Sequence, residues 1–425
     1  MMGLFPQIIF SLLTLLAFGL FIKKISEIRS AILLGKATFL NDKPLQRWKN
    51  VFLLALGQKK MFRNPIVALL HLIIYIGFII INIELIEIIL DGLMGTHRIL
   101  SKPLGNYYSL FINCFEILAF LVTIVCILFL VRRNILKIKR FVSKDLNGWP
   151  RTDANYILIA EIILMSLFLL MNAADTNYQF IISSKISPWL HGNTADTLYL
   201  IEKSAWWLHI LGIYAFMNYL PYSKHLHIIL AFPNAYYAPL IPKGVMHNMP
   251  AIQNEVLYAM QPELAPSDAL APESFGAKEA TELSWKNLMD AYSCSECGRC
   301  STACPATSTG KLLSPRKIMM ATRDRIETIS KNIQQNKQFI SDGKTLLHDY
   351  ISVEELRACT TCNACVEECP ISISPLDIIM ELRRSLVMEQ SNAPQEWNGM
   401  FSNIENNFAP WKFAPDDRDA WTKQV

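Results

Sequence analysis

Five long apolar stretches within the first 232 residues constrain this chain more than any other feature. They run near residues 3–22, 65–90, 107–131, 155–174 and 205–222, the last with an amphipathic continuation. A stretch of about 20 residues suffices to cross a bilayer as a helix. In lipid each backbone amide needs a partner within its own segment, so a lone apolar stretch must be helical. Composition agrees: 52% of the 425 residues are hydrophobic and only 18% charged, against roughly 25% charged in an ordinary soluble domain. The apolar excess ends near residue 232, and the remainder has the composition of a soluble protein. The first stretch lacks a basic start and a small-residue cleavage site, and Lys23 and Lys24 follow it as a stop-transfer flank. It is therefore expected to be an anchor rather than a signal peptide.

Basic residues orient the bundle. The segment 23–63 carries Lys23, Lys24, Arg29, Lys36, Lys43, Arg47, Lys49, Lys59, Lys60 and Arg63, and 132–154 carries seven more, from Arg132 to Arg151. The two opposite loops hold only Arg98 and Lys102, and Lys185 and Lys203. The positive-inside rule puts the N-terminus outside and everything after the fifth helix in the cytoplasm, as in a multi-pass protein of a bacterial inner membrane. The net charge of +4 is small and points to no nucleic-acid partner.

Beyond a Pro-rich exit (PNAYYAPLIPKG) and a linker rich in Ala, Pro, Glu and Ser, the pattern turns helical, and 280–390 shows no strand-like alternation. Neither a phosphate-binding Gly loop nor a nucleophile motif is present. The chemistry lies in the cysteines: eight of the ten fall in two matching runs. CSECGRCSTACP holds Cys294, Cys297, Cys300 and Cys304 before Pro305, and CTTCNACVEECP holds Cys359, Cys362, Cys365 and Cys369 before Pro370. Each reads C-x2-C-x2-C-x3-C-P. Three thiolates at that pitch wrap one corner of a cubane, and in two-cluster ferredoxins the fourth Cys ligates the other cluster. The expected ligand sets are Cys294, Cys297, Cys300 and Cys369 for one [4Fe–4S] cluster, and Cys359, Cys362, Cys365 and Cys304 for the other. Structural zinc uses C-x2-C pairs rather than a triple with a Cys-Pro, and disulfides are disfavoured in the cytoplasm. Cys114 and Cys126, on the third apolar stretch, are expected to be packing residues.

The fifty or so residues between the runs are charged and helix-forming, longer than the connection of a compact bacterial ferredoxin. Over about 285–390 the chain resembles the α-helical ferredoxin of succinate dehydrogenase iron–sulfur subunits and of the C subunit of heterodisulfide reductase.

Ionisable residues inside a membrane are costly and are functional candidates by default. At about 1.5 Å per residue, His71 lies roughly 10 Å from the cytoplasmic end of the second helix. His209 is expected near the outer end of the fifth, with His225 and His227 at its inner end on a helix continuing past Pro221. His71 is thus at the depth of His227 or His225, as two axial ligands of one b-type haem require; the alternative is a set of satisfied interhelical histidines. The segment 209–227, HILGIYAFMNYLPYSKHLH, resembles the fifth helix of the respiratory nitrate reductase gamma subunit, a five-helix dihaem cytochrome b that oxidises quinol. LLHLIIYIGF resembles that family's second helix. The resemblance implies His71 and His227 as ligands of an inner haem and His209 as an outer ligand, with His225 a rival to His227. It departs at Ile81, where the family has a second histidine on helix two, so His209 has either another partner or a quinone contact. Three intramembrane acids, Glu116, Glu161 and Glu84, are candidates for proton or quinone chemistry, against hydrogen bonds to neighbouring helices. Trp206 and Trp207 read as an interfacial aromatic belt.

A nitrate-reductase-gamma-like membrane domain joined to a heterodisulfide-reductase-like dicluster domain resembles the membrane-bound heterodisulfide-reductase-related iron–sulfur oxidoreductases. That group includes proteins serving dissimilatory sulfite reduction and electron-transferring-flavoprotein:quinone exchange. In fused relatives a cysteine-rich CCG domain follows. Residues 403–421 resemble the linker preceding that domain, which implies a separate cytoplasmic CCG-domain iron–sulfur subunit docking at this tail. The expected architecture is all-α: a five-helix transmembrane bundle (1–232), a linker (233–284), a cytoplasmic α-helical ferredoxin domain (285–390) and a partner-docking tail (391–425). The expected role is electron relay between membrane quinone, haem b, two [4Fe–4S] clusters and the partner, as an oxidoreductase subunit not catalytically complete alone. A membrane-anchored iron–sulfur redox sensor, or an anchor without quinone turnover, is the alternative.

Overall fold

The computed structural model describes residues 3–178, 180–190, 192–242, 245–246, 248–266, 274–412, 414–417 and 419–423. Among them there is no strand, only two isolated bridges, Lys36 with Ser284 and Leu347 with Ile351. Four helices are long and apolar enough to cross a membrane: α1 (Leu4–Ile32), α2 (Pro65–Met94), α3 (Tyr107–Asn134) and α4 (Trp149–Ala174). A fifth, α5 (Ala195–Tyr219), carries Asp196, Glu202 and Lys203 in its first turns. Each of the five packs on its chain neighbour, and α1 also packs on α5, so α5 closes a ring α1–α2–α3–α4–α5.

Local chemistry sets the helix ends. Asn64 caps α2, its side chain accepting from Val67 N, with Pro65 at the first helical position, where its missing N–H costs nothing. Gly95, at φ 67°, ends α2 in the left-handed conformation, which a residue without Cβ adopts freely. Inside the ring small residues let helices approach. A Cβ on Gly77 would stand 2.6 Å from Val122, and one on Gly212 2.7 Å from Leu164. Close backbone contact of this kind is how helices associate in lipid, where burial from water gives no drive.

Two features of the fifth helix differ from the sequence expectation. It begins ten residues earlier than its apolar stretch, because the Thr194 hydroxyl caps it by accepting from Thr197 N; His209 therefore sits near mid-helix, not near the outer end. Nor does it continue past Pro221. A 3₁₀ turn (Leu220–Tyr222) is followed by Ser223 in extended conformation, a second 3₁₀ turn (Lys224–Leu226) and a separate helix, α6 (His227–Tyr236). The break is held by polar groups: Ser223 Oγ accepts from His225 N at 3.1 Å, and the Asp153 carboxylate accepts from Lys224 N at 3.0 Å and from the Tyr219 hydroxyl.

The cysteine-rich half consists of α7 (Trp285–Ser293), α8 (Arg299–Ala303), α9 (Pro315–Asn336), α10 (Ala364–Glu368), α11 (Pro375–Arg384) and α12 (Gln395–Asn407), with shorter turns between them. It does not hang from the bundle as a bead on a linker. Its core of Leu288, Ile318, Ile326, Ile378 and Leu382 takes in Ile28, Ala31 and Ile32 from the end of α1, and Leu220 and Leu226 from the broken segment. Ala277, Ala280 and Leu283 are fully buried in it. Backbone seals the joint: Lys36 N donates to Leu283 O at 2.8 Å and Trp285 N to Lys36 O at 3.1 Å. No Cβ fits at Gly35, which would place one 2.6 Å from Trp285 N. The basic tail of α1 thus belongs structurally to the cysteine-rich half. That half meets one end of the ring, the near end; the opposite end is the far end.

Candidate functional site

The two cysteine runs fold alike. In the first, Glu296 (φ 54°) and Gly298 (φ 73°) are left-handed; at the same places in the second, so are Thr361 (φ 56°) and Asn363 (φ 63°). Each left-handed residue turns the chain back toward its own thiols, and the second of each pair starts a short helix, α8 or α10. Left-handed backbone at Glu296 and Thr361 costs of order 1–2 kcal/mol each, so the surroundings must hold it. Gly298 is required twice over, since a Cβ there would also lie 2.5 Å from the Arg316 guanidinium.

The thiols gather in two sets. Cys294, Cys297, Cys300 and Cys369 line the near end of a large cavity of about 500 Å³, where Cys365 also reaches. Cys304, Cys359, Cys362 and Cys365 line a second, small cavity walled by Pro305, Leu313, Pro315, Leu376 and Ile379. The fourth cysteine of each run therefore stands with the other run's triple. Backbone N–H groups point at sulfur: Ile373 N lies 3.2 Å from Cys369 Sγ and Thr361 N 3.4 Å from Cys359 Sγ. Burial pushes the Cys294 thiol up to about 12, so thiolate at this position calls for the positive charge that iron supplies. Four thiols around one apolar-walled space, with amide donors on sulfur, fit the donor set of a cubane cluster.

Loops from the bundle clamp both runs. Lys60 donates to Val366 O (3.3 Å), Cys369 O (3.1 Å) and Ser372 Oγ (3.2 Å), and Arg63 pairs with Glu368 at 2.8 Å and with Glu367. Arg316, 1% exposed, donates to both Asp145 oxygens (2.9 and 2.7 Å), to Arg140 O (2.9 Å) and to Ser143. Burial would raise the Asp145 carboxyl, but Arg316 and the Ser143 and Ser314 hydroxyls hold it below the ordinary value. Glu296 behaves likewise: burial opposes its charge, and Lys224 (2.7 Å) and Arg323 (2.9 Å) hold it down. Nothing in the spacing of the cysteines announced these partners; Lys60, Arg63 and Arg140 were visible only as basic loop residues.

The large cavity continues from the first thiol set into the ring, where His71, His209, His225 and His227 all line it. Three of them are oriented in the same way. His209 Nδ1 lies 2.9 Å from Leu164 O, His227 Nδ1 2.8 Å from Lys224 O, and His71 Nδ1 3.0 Å from Gln58 Oε1. A carbonyl oxygen only accepts, so Nδ1 carries the proton in His209 and His227, and Nε2 keeps its lone pair. Such a bond fixes the ring and its tautomer, as it does for an iron-ligating imidazole. The His225 ring meets Phe216 edge-on and His227 at a tilt, with centroids 5.6 Å apart in each case. His71, His225 and His227 stand near enough to act on one another electrostatically at this part of the cavity. For His209 the described lining offers no further imidazole on α2; Ile81 and Glu84 face the cavity there.

The acids divide differently from the sequence expectation. Glu116 is consumed by hydrogen bonds: Oε1 accepts from Asn172 Nδ2 (3.1 Å), Oε2 from Ile182 N (2.9 Å) and Ser183 N (3.3 Å), and the Ser183 hydroxyl adds a further bond. It ties α3 to the far-end loop and is not among the cavity-lining residues. Glu84 and Glu161 do line the cavity. Sequence reading passed over Glu87 and Asp91, which are buried with Glu84 on one face of α2; their i, i+3, i+7 spacing was the available signal. Trp206 is buried against Phe10, ring centroids 5.3 Å apart, rather than exposed in a belt.

Residues 293–373 match the 4Fe-4S dicluster domain family. The chain is 26% identical over 451 residues to the probable iron-sulfur-binding oxidoreductase FadF of Bacillus subtilis, covering 98% of this chain and 61% of that protein. It is 26% identical over 419 residues to the EtfAB:quinone oxidoreductase of Syntrophomonas wolfei, covering 90% of this chain and 54% of the relative. It is 33% identical over 119 residues to the C subunit of the ferredoxin/F420H2-dependent CoB-CoM heterodisulfide reductase of Methanosarcina acetivorans, covering 28% of this chain and 60% of that relative. The chain thus spans little more than half the length of the first two. No solved structure matches. The chain thus carries a 4Fe-4S dicluster domain and four helices long and apolar enough to cross a membrane, and it is similar to iron–sulfur oxidoreductases and heterodisulfide reductase subunits.

Proposed function

We propose that this chain relays electrons between membrane quinone and a cytoplasmic partner, through a haem b held by His71 and His227 and two [4Fe–4S] clusters. The ligand sets would be Cys294, Cys297, Cys300 and Cys369, and Cys359, Cys362, Cys365 and Cys304. One observation carries the reading: a single cavity is lined at one end by the first thiol set and farther in by the histidines. Two kinds of one-electron site therefore open on one buried space. When bound, haem and clusters supply one-electron redox chemistry; the chain's own residues orient and insulate them. His227 is preferred over His225 because its Nδ1 proton is fixed on Lys224 O.

In this reading α5 is a fifth span and the near end is cytoplasmic, as the basic loops favour. The domain limits follow the composition, with the bundle to residue 232, the linker to 284 and the dicluster domain to 390. The partner is a CCG-domain iron–sulfur subunit, and α12 offers it a face: Trp397, Phe401 and Ile404, at i, i+4 and i+7, are 39–44% exposed. The test is anaerobic purification from membranes, a reduced-minus-oxidised visible spectrum and an iron and acid-labile sulfide assay. A b-type α-band with about eight non-haem irons per chain, four for each cluster, supports the relay. Clusters without an α-band would remove the haem and with it the quinone connection.

A further inference from the structure

Near the far end of the cavity, one buried carboxylate oxygen has no partner in the protein, and one imidazole nitrogen keeps a lone pair to offer. Glu84 is 2% exposed, lines the cavity, and its Oε2 makes no hydrogen bond. His209 is also 2% exposed and lines the same cavity. Its Nδ1 proton is given to Leu164 O, which leaves Nε2 as an acceptor. A buried carboxylate oxygen without a donor is expensive, and intramembrane acids of this kind mark substrate or proton pathways.

The neighbours of Glu84 are fixed and known. Arg98, Glu87 and Glu116 are the charged groups acting on it. Arg98 is committed to Asp175 (2.9 Å), Asn172 (2.9 Å) and Tyr108 (3.2 Å). Glu87 is committed to Leu100 N (2.9 Å) and the Tyr108 hydroxyl (3.0 Å). Glu116 is committed as described above. Of these four groups only Glu84 both lines the cavity and keeps an oxygen without a partner. The two acceptors stand at different depths. His209 is level with Leu164 on α4, and Glu84 adjoins Glu116, which is bonded to Asn172 on α4. Eight residues of helix separate those levels, about 12 Å. A six-membered ring with an oxygen at each end, hydrogen-bonded at both, spans such an interval.

We propose that the far part of the cavity binds the head group of a quinol, one hydroxyl donating to Glu84 Oε2 and the other to His209 Nε2, with Glu84 as the first proton acceptor. The inference rests on the quinone-linked reading above. It puts a quinone ring, rather than a second haem, at His209. Oxidation of the ring breaks two O–H bonds. Two electrons leave singly to the iron centres of that reading. The proton of the first hydroxyl passes to Glu84 and on toward Glu87 and the far face, and that of the second passes to His209 Nε2, each acceptor releasing its proton before the next turnover. Reduction of a quinone is the same balance reversed.

The test uses the full chain in detergent with a short-chain naphthoquinol and a hydroxyquinoline-N-oxide quinone analogue. Glu84→Gln keeps the shape and removes the proton acceptor. It is expected to keep the wild-type iron content and dithionite-reduced spectrum while quinol reduces the chain at least tenfold more slowly. His209→Leu is expected to weaken analogue binding at least tenfold. Glu84→Asp, which restores a carboxyl, is expected to recover part of the rate, and it decides the matter if Glu84→Gln fails to assemble. Wild-type rates in Glu84→Gln together with wild-type analogue affinity in His209→Leu overturn the inference. A bis-histidine haem spectrum lost selectively in His209→Leu overturns it too. If dithionite reduces the wild-type chain but quinol does not, the quinone-linked reading itself has failed.

Discussion

Replacing Arg316 by Met should undo the seating of the cysteine-rich half on the bundle. The Arg316 and Asp145 side chains are 1% and 10% exposed, so solvent screens little of their interaction. Removing the cation leaves Asp145 buried without its counter-charge, which costs about 3–5 kcal/mol, and orphans the carbonyl of Arg140. For a unit the size of the cysteine-rich half each kcal/mol is worth about 4 °C, so the loss should lower its melting temperature by about 10 °C or more. The assay is bleaching of the iron–sulfur chromophore during an anaerobic thermal scan at one fixed rate, since unfolding that releases clusters is irreversible. The double variant Arg316→Met, Asp145→Asn should recover much of the loss, because the stranded charge is gone. pH supplies a second signature. Asp145 is held below its ordinary value of 3.8 by Arg316, so the pair contributes fully above that value and fades as pH falls through the folded value. The gap between wild type and Arg316→Met should close in strong acid. A shift under about 3 °C for Arg316→Met, or a double variant as unstable as the sum of the singles, refutes the argument.

Cross-ligation makes Cys304→Ser selective. It should disturb the cluster of the second run and leave the first run's signal intact, read by low-temperature EPR of the reduced protein; loss of the first run's signal instead would break the assignment. His71→Ala and His227→Ala should each abolish the b-type α-band while His225→Ala retains it, and a band surviving His227→Ala would move the ligand to His225. Trp397→Glu with Phe401→Glu, on an exposed face of α12, should leave the cluster spectrum unchanged and lower the yield of co-purified CCG partner at least tenfold. Equal recovery would remove α12 as the docking face.

What could be read beforehand divides along physical lines. Long apolar runs and C-x2-C-x2-C-x3-C-P repeats are local signals, and local signals are what a linear sequence carries best. α1 to α4 accordingly stand close to their apolar stretches, apart from the extension of α1 through Lys23 and Lys24 to Ile32. That extension was illegible because its cause is tertiary: Ile28, Ala31 and Ile32 bury against a core supplied some 250 residues later. The break after α5 had a local cue in Pro221, yet what fixes it is Asp153 on α4 receiving Lys224 N and Tyr219. Which of the intramembrane acids is left without partners was illegible for a related reason. Depth along a helix separates Glu116 from Glu84 only coarsely, whereas the loop at 181–183 folds back to satisfy Glu116 and leaves Glu84 facing the cavity.

The basic loops have a second use beyond orientation. Counting Lys and Arg treats them as interchangeable, but the folded chain distinguishes them sharply. Lys60 and Arg63 hold the second cysteine run, at residues 366–372. The loop after α3 holds the first through Asp145 and Arg316, and Lys224 holds it through Glu296. Three separate segments at the near end thus each grip a cysteine loop or the charged groups beside it. Thiolates gathered around a cluster bring net negative charge, and a cation in a region of lowered dielectric acts on it more strongly than in water. The Lys60 ammonium sits on the carbonyl of Cys369 itself. On the proposed orientation, the charges that set which end of the bundle faces inward would also set where the thiol sets stand relative to the histidines.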